Sequence, residues 1–346
     1  MQIRRLYKMT QANSGLPALH EVFRDAFKMG AAVSMDVLSA QAPFIAKHFN
    51  SITAENVMKP EEVQPQEGIF TFDAADRIFE FAKAHQIAVR GHTLLWHNQT
   101  GDWMFRNSEG EPCTREQLLG RLQTHINAVV GRYRGQAYAW DVVNEAIEDK
   151  SDQYLRDTKW LEILGEDYLR EAFEMAHQAD PGALLFYNDY NETDPVKRDK
   201  IFKLVRSLLD QNTPIHGIGM QAHWNIYGPT IDEIRSAIEL YASLGLRIHI
   251  TELDLSMFRF EDQRADLKAP TVAMLKLQEE RYAEIFAVLL EYRKVIDSVT
   301  FWGVADDYTW LDGFPVRGRK NWPFLFDVHQ QPKASFGRLA DLAASI

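Results

Sequence analysis

Trp140-Asp141-Val142-Val143-Asn144-Glu145 is a short apolar run that stops on an amide and a carboxylate. Bounded by helical patterns on both sides, such a run suits a strand buried on both faces of a parallel sheet. The interior of that strand has no use for Asn-Glu, so the pair belongs at its C-terminal end, where ligands bind in α/β architectures. Read alone, Glu145 could equally open the next helix, because an acid near a helix N-terminus is mildly favoured. The rest of the chain decides between the two.

Outward from this stretch the chain repeats strand, loop, helix. Upstream, strands are expected at 30–34, 51–54 and 88–92, the last running on into Thr93-Leu94-Leu95-Trp96-His97. A helix capped by Asp73 puts Ile78, Phe81 and Ala82 on one face. Another, from about 114 to 133, spaces Leu118, Leu122, His125, Ile126 and Val129 helically. Downstream, one helix over 161–179 stops at Asp180-Pro181-Gly182. Strands at 183–187, 217–220, 247–251 and 298–302 then alternate with helices near 195–209, 231–244 and 272–292 and a last helix.

Eight strands, each followed by helix, predict an α/β fold: a single-domain parallel (β/α)8 TIM barrel over 1–346, with a short N-terminal extension of about 1–18. Strands two to seven all end in polar or aromatic residues. Scattered polar residues would not do this, so a single functional ring at the C-terminal face is expected.

Composition narrows the partners. The 346 residues are 46% hydrophobic and 25% charged, ample for a large core in one α/β barrel. The balance of 38 basic and 49 acidic residues gives −11 with no offsetting basic cluster, which argues against nucleic acid and anionic membranes. A neutral sugar would be indifferent to that charge. No run approaches the roughly 18 apolar residues of a membrane span. Arg4, Arg5 and Lys8 precede no apolar segment, so no secretory signal is expected. The single Cys113, in a polar loop between Pro112 and Thr114, reads as incidental. Together these features predict a cytoplasmic protein, monomer or homodimer.

Two carboxylates stand out on the ring: Glu145 ending strand four and Glu252 ending strand seven. Cleaving a glycosidic bond needs a proton on the departing oxygen and a nucleophile or base on the other face of the sugar, which two carboxyls supply. A gap of about 5–5.5 Å means retention, and one of about 6.5–9.5 Å means inversion. Asn144 is placed to meet a sugar 2-hydroxyl. His223, held between Glu252 and Asp254, would orient Glu252 and keep it ionised, as a nucleophile requires. Glu145 has no such partner in sequence and is the candidate acid/base. His92, Trp96, His97, His223, Trp302 and Trp310 offer flat faces and donors to sugar rings, though any one Trp could be ordinary core. No His-x-His, His-Glu-x-x-His or Cys/His cluster occurs, and Gly217-Ile218-Gly219 is too short for a phosphate loop; no metal and no cofactor are expected.

Glu55-Asn56-Val57-Met58-Lys59, Arg90 to His97, Trp140 to Glu145, Gln221-Ala222-His223-Trp224, Ile250-Thr251-Glu252-Leu253-Asp254 and Phe301-Trp302-Gly303-Val304 resemble, in order, the motifs of family-10 glycoside hydrolases, the endo-β-1,4-xylanases. The resemblance covers about residues 20–340. It implies a retaining hydrolase of xylan or xylo-oligosaccharides, with Glu145 as acid/base and Glu252 as nucleophile. It further implies that Glu55, Asn56, Lys59, His92, Trp96, Gln221, Trp302 and Trp310 line the subsites for the non-reducing end, with Asn188 and Tyr190 nearer the leaving group. Pro60 stands where the family often has Trp. The missing secretory signal resembles the intracellular members, which are expected to trim short imported xylo-oligosaccharides. The competing readings are a barrel glycosidase acting on β-1,4-glucans and a carbohydrate-binding protein that has lost its chemistry. The latter would have lost a carboxylate, and both are present. The segment 306–323 reads either as a loop shaping the acceptor end or a partner contact, or as a solvated one.

Overall fold

Near-continuous apolar runs become strands covered on both faces by other elements. The computed structural model describes residues 17–345, in which eight such strands run parallel: Lys28–Val33 (β1), Ser51–Ala54 (β2), Ala88–Leu95 (β3), Ala137–Asn144 (β4), Leu184–Asp189 (β5), Gly217–Met220 (β6), Arg247–Ser256 (β7) and Ile296–Phe301 (β8). Each pairs with its sequence neighbour from β1 to β8, and β8 pairs with β1 through Gly30↔Thr300, closing the barrel. A three-residue strand, His223–Asn225, adds to β7 through His223↔Asp254. It lifts the β6 loop against the mouth of the barrel.

The helices lie between successive strands. Arg115–Arg132 opens on a capping box in which Thr114 accepts from the Gln117 amide and Gln117 returns to Thr114, and Thr230 and Glu233 do the same for Ile231–Ala242. Each cap stabilises its helix by about 1 kcal/mol. Among the described residues no helix is long and apolar enough to cross a membrane.

Several expectations need correction. The segment 161–179 is two helices, Lys159–Leu164 and Tyr168–Ala179, because Gly165 takes a left-handed φ of 65° and stops the first. Asp73 is the first helical residue; Phe72 precedes it without a side-chain cap. Ser34, expected to end β1, instead caps the helix Met35–His48 by accepting from the Val37 amide. Trp302 lies just beyond β8. Cys113 is buried, its thiol directed at the Met104 carbonyl 3.6 Å away, despite its polar neighbours. Residues 1–16, most of the expected N-terminal extension, lie outside the described residues.

The barrel interior is partly polar. Arg90 on β3 is fully buried and grips Asp141 on β4, with Nε to Oδ2 at 3.2 Å, while its Nη1 meets His249 Nδ1 on β7 at 2.6 Å. Its guanidinium lies 4.6 Å over the Phe186 ring. A buried charge is tolerable only with such pairing. Close packing also explains two glycines in β6. A Cβ on Gly217 would fall 2.1 Å from the Phe186 ring, and one on Gly219 would fall 2.2 Å from Asn188 Oδ1.

Candidate active site

The C-terminal ends of the strands open into a cleft of about 1070 Å³. Glu145 stands one residue past β4, with φ of 58°, its amide N–H held by the Asn188 carbonyl at 2.9 Å. Its carboxylate accepts from Trp96 Nε1 (2.8 Å), Gln221 Nε2 (2.9 Å) and Asn144 Nδ2 (3.1 Å). Burial, and after it the negative charge of Asp189, pushes the Glu145 carboxyl above the ordinary range, although the Gln221 and Trp96 donors pull the other way.

Glu252 lies within β7 and accepts from Asn188 Nδ2 at 2.8 Å and His223 Nε2 at 3.1 Å. Burial pushes this carboxyl up, but the hydrogen bond and charge of His223 outweigh it and leave Glu252 below the ordinary range. On its far side His223 bonds Asp254 through Nδ1 at 2.9 Å, and Trp310 Nε1 donates to the same Asp254 oxygen at 2.7 Å. Burial opposes charging of the imidazole, yet the two carboxylates raise it to about 10. The two carboxyls are therefore tuned in opposite directions, Glu145 binding its proton more tightly than Glu252.

The remaining expected residues fall around this pair. Lys59 donates to Asn56 Oδ1 at 2.9 Å and sits 5.1 Å over the Trp96 ring. Glu55 accepts from the Tyr308 hydroxyl at 3.0 Å, and burial raises its carboxyl. His92 bonds Asp141 at 2.9 Å and meets Trp302 edge-on at 5.3 Å. Lys59, His92, Trp96, Gln221, Trp302 and Trp310 line the cleft, as does Tyr190. Pro60 opens a single helical turn, Pro60–Val63, at a position where a missing N–H costs nothing.

Asn188, expected nearer the leaving group, makes its side-chain contacts with protein. It is fully buried beside Glu252, donating to Glu252 and to Asn144 Oδ1 (2.8 Å each) and accepting from Thr251 at 2.7 Å. All its polar atoms are spent on protein. Asn144 likewise gives its amide to Glu145. Part of the segment 306–323 borders the cleft and part of it is exposed: Trp310, Phe314 and Arg319 line the cleft, Trp310 and Phe314 are stacked at 5.2 Å, and Phe260 joins them. His97 is absent from the cleft lining, and burial lowers it to about 4.

Sequence reasoning missed a buried ion cluster behind Tyr190. Lys197 is buried between Asp149 (2.8 Å) and Asp189 (2.9 Å), 3.5 Å from the Tyr190 ring centroid. In Pro195-Val196-Lys197-Arg198 it reads as one charge of a solvated helix, and nothing local marks it as buried. Among the described residues, no group of three or more His, Cys, Asp or Glu is placed to hold a metal ion.

Opposed proton affinities in two carboxyls that share one aromatic-walled cleft, at the mouth of a parallel barrel, define a barrel glycoside hydrolase. Residues 18–342 match the family model described as Glycosyl hydrolase family 10, and the chain belongs to that family. It is 65% identical over 324 residues to Endo-1,4-beta-xylanase B of Paenibacillus barcinonensis, spanning 94% of this chain and 98% of that one. It is 55% identical to an endo-1,4-beta-xylanase of Geobacillus stearothermophilus, spanning 95% of this chain and 99% of the relative. Among solved structures, xylanase XynB of Paenibacillus barcinonensis, complexed with a conduramine derivative, superposes with a TM-score of 0.93 at 64% identity, over 94% of this chain and 98% of its own.

Proposed function

We propose that this protein is a retaining endo-β-1,4-xylanase that hydrolyses β-1,4-xylosidic bonds of xylan and, preferentially, of short xylo-oligosaccharides. The observation that carries the reading is the opposite tuning of Glu145, raised, and Glu252, lowered, in one cleft. In this reading Glu252 attacks the anomeric carbon while the Glu145 proton passes to the glycosidic oxygen, which departs with the bonding electron pair. The resulting glycosyl-enzyme is opened by a water whose proton returns to Glu145, and Glu252 is released as carboxylate. His223 and Asp254 orient the nucleophile and Asn144 meets the 2-hydroxyl. Lys59, His92, Trp96, Gln221, Trp302 and Trp310, with Glu55 and Asn56 behind, hold the non-reducing end. Tyr190 faces the leaving group. The names of the xylanase relatives support the xylose specificity. For the cytoplasmic location, the lone buried Cys113 suits a reducing compartment.

Proton NMR of the anomeric signals during xylotetraose cleavage tests this. β-Anomer is expected first, mutarotating later, and Glu252→Ala is expected to abolish turnover. First-formed α-anomer would overturn the nucleophile role. Faster cleavage of glucose oligomers would overturn the xylan reading, and tight xylotriose binding without turnover would leave a binding protein.

A further inference from the structure

Glu145 occupies left-handed backbone that L side chains disfavour, so something outside the residue must hold it there. The two amides that follow, of Ala146 and Ile147, are buried and belong to neither strand nor helix. Both donate to one atom, the Tyr187 hydroxyl, at 3.1 Å each. A hydroxyl has one proton and two lone pairs. The lone pairs take the two amides, and the proton goes to Asp189 Oδ2. Asp189 is itself fixed by the Lys197 ammonium and the Tyr190 amide, each at 2.9 Å. The Asp189 carbonyl also accepts from the Gln221 amide at 3.0 Å, and the Gln221 side chain reaches Glu145. On the other edge of the turn, Arg156 Nε donates to the Glu145 carbonyl at 3.2 Å.

We propose that Tyr187, oriented by Asp189, is a positioning residue for proton donation: its hydroxyl fixes the turn after β4 that aims the Glu145 carboxyl at the departing oxygen. The inference rests on the glycosidase reading above. Every bond in the chain Asp189–Tyr187–Ala146/Ile147 is buried, so water cannot replace the hydroxyl, and its loss leaves two orphaned amides free to turn the peptide. Asp189 also brings its charge close to Glu145, so a single unit sets both the direction of the acid and its hold on the proton.

The test compares two substrates by kcat/KM, which reports the first bond cleavage. Xylotetraose has a leaving group that needs the Glu145 proton; a dinitrophenyl xylobioside has one that departs as a stable anion. Tyr187→Phe is expected to lower kcat/KM for xylotetraose by about 10–100-fold and for the aryl glycoside by less than about 3-fold, because only the first reaction depends on an aimed acid. Equal losses on both substrates would mean a merely structural role and overturn the proposal, as would no loss on either. If Tyr187→Phe does not fold, Asp189→Asn, which keeps the shape, decides by the same ratio: a selective loss on xylotetraose supports it and an equal or absent loss overturns it. Wild-type protein inactive on both substrates would overturn the glycosidase reading, and this inference with it.

Discussion

The Trp96 indole donates to Glu145 and favours the ionised form of the carboxyl, against burial and Asp189. Trp96→Phe removes a donor to the anion, so the proton is held to higher pH. The alkaline limb of the kcat/KM profile, which reports loss of the acid's proton, is expected to move up in pH as the rate falls. A pH–rate profile checks this, and a downward move would contradict it. At this scale the carboxylates and His223 were legible because each follows a short apolar run, although β7 continues past Glu252 to Ser256. Asn188 was legible as a strand end but not in its role, because strand position does not say whether an amide faces sugar or its neighbours. Tyr187 was hidden more completely: an aromatic in Leu185-Phe186-Tyr187 reads as core, and only the fold brings its hydroxyl to the amides of residues 146 and 147.

Within β6 the two glycines separate stability from activity. Gly217→Ala drives a methyl into the Phe186 ring and within 2.7 Å of the Arg247 carbonyl, so it is expected to destabilise by about 1–3 kcal/mol, seen as a lowered Tm. Gly219→Ala instead presses on the Asn188 carboxamide that joins Glu252 to Asn144. It is expected to cost about tenfold or more in kcat with a smaller change in Tm. Kinetics and thermal melts on the two variants check the contrast. Strands β2 and β6 could be read to the residue because each is a four-residue run that stops at a polar residue, Glu55 after β2 and Gln221 after β6. The helix Met35–His48 could not, since Pro43 lies inside it and its backbone leaves helical angles at Gln41. The break at Gly165 was missed because apolar spacing continues across it.

For the whole molecule, buried titratable groups shape the response to pH. Burial lowers His48, His97 and His125 to about 4, so the unfolded chain binds their protons more readily, and stability rises as pH climbs from about 4 towards 6.5. Burial raises Asp306 to about 6 and Glu192 to about 7, and their contribution runs the other way over the same range. His223 is different. Burial opposes its charge, but its carboxylates hold it near 10, so its contribution is complete below 6.5 and is lost as pH rises through about 10. The Tm is therefore expected to peak near neutrality and decline on the alkaline side, and the decline is expected to flatten in His223→Asn. Melting curves across pH would show it, and parallel declines in both proteins would count against it. The Arg90 cluster inside the barrel bears on how the chain folds. Its three members come from β3, β4 and β7, with Arg90 and His249 separated by 159 positions. A partial barrel lacking β7 would leave Arg90 paired with Asp141 on β4 but without its imidazole partner from β7. Such fragments are poor stopping points, and ring closure and burial of the guanidinium become one cooperative event.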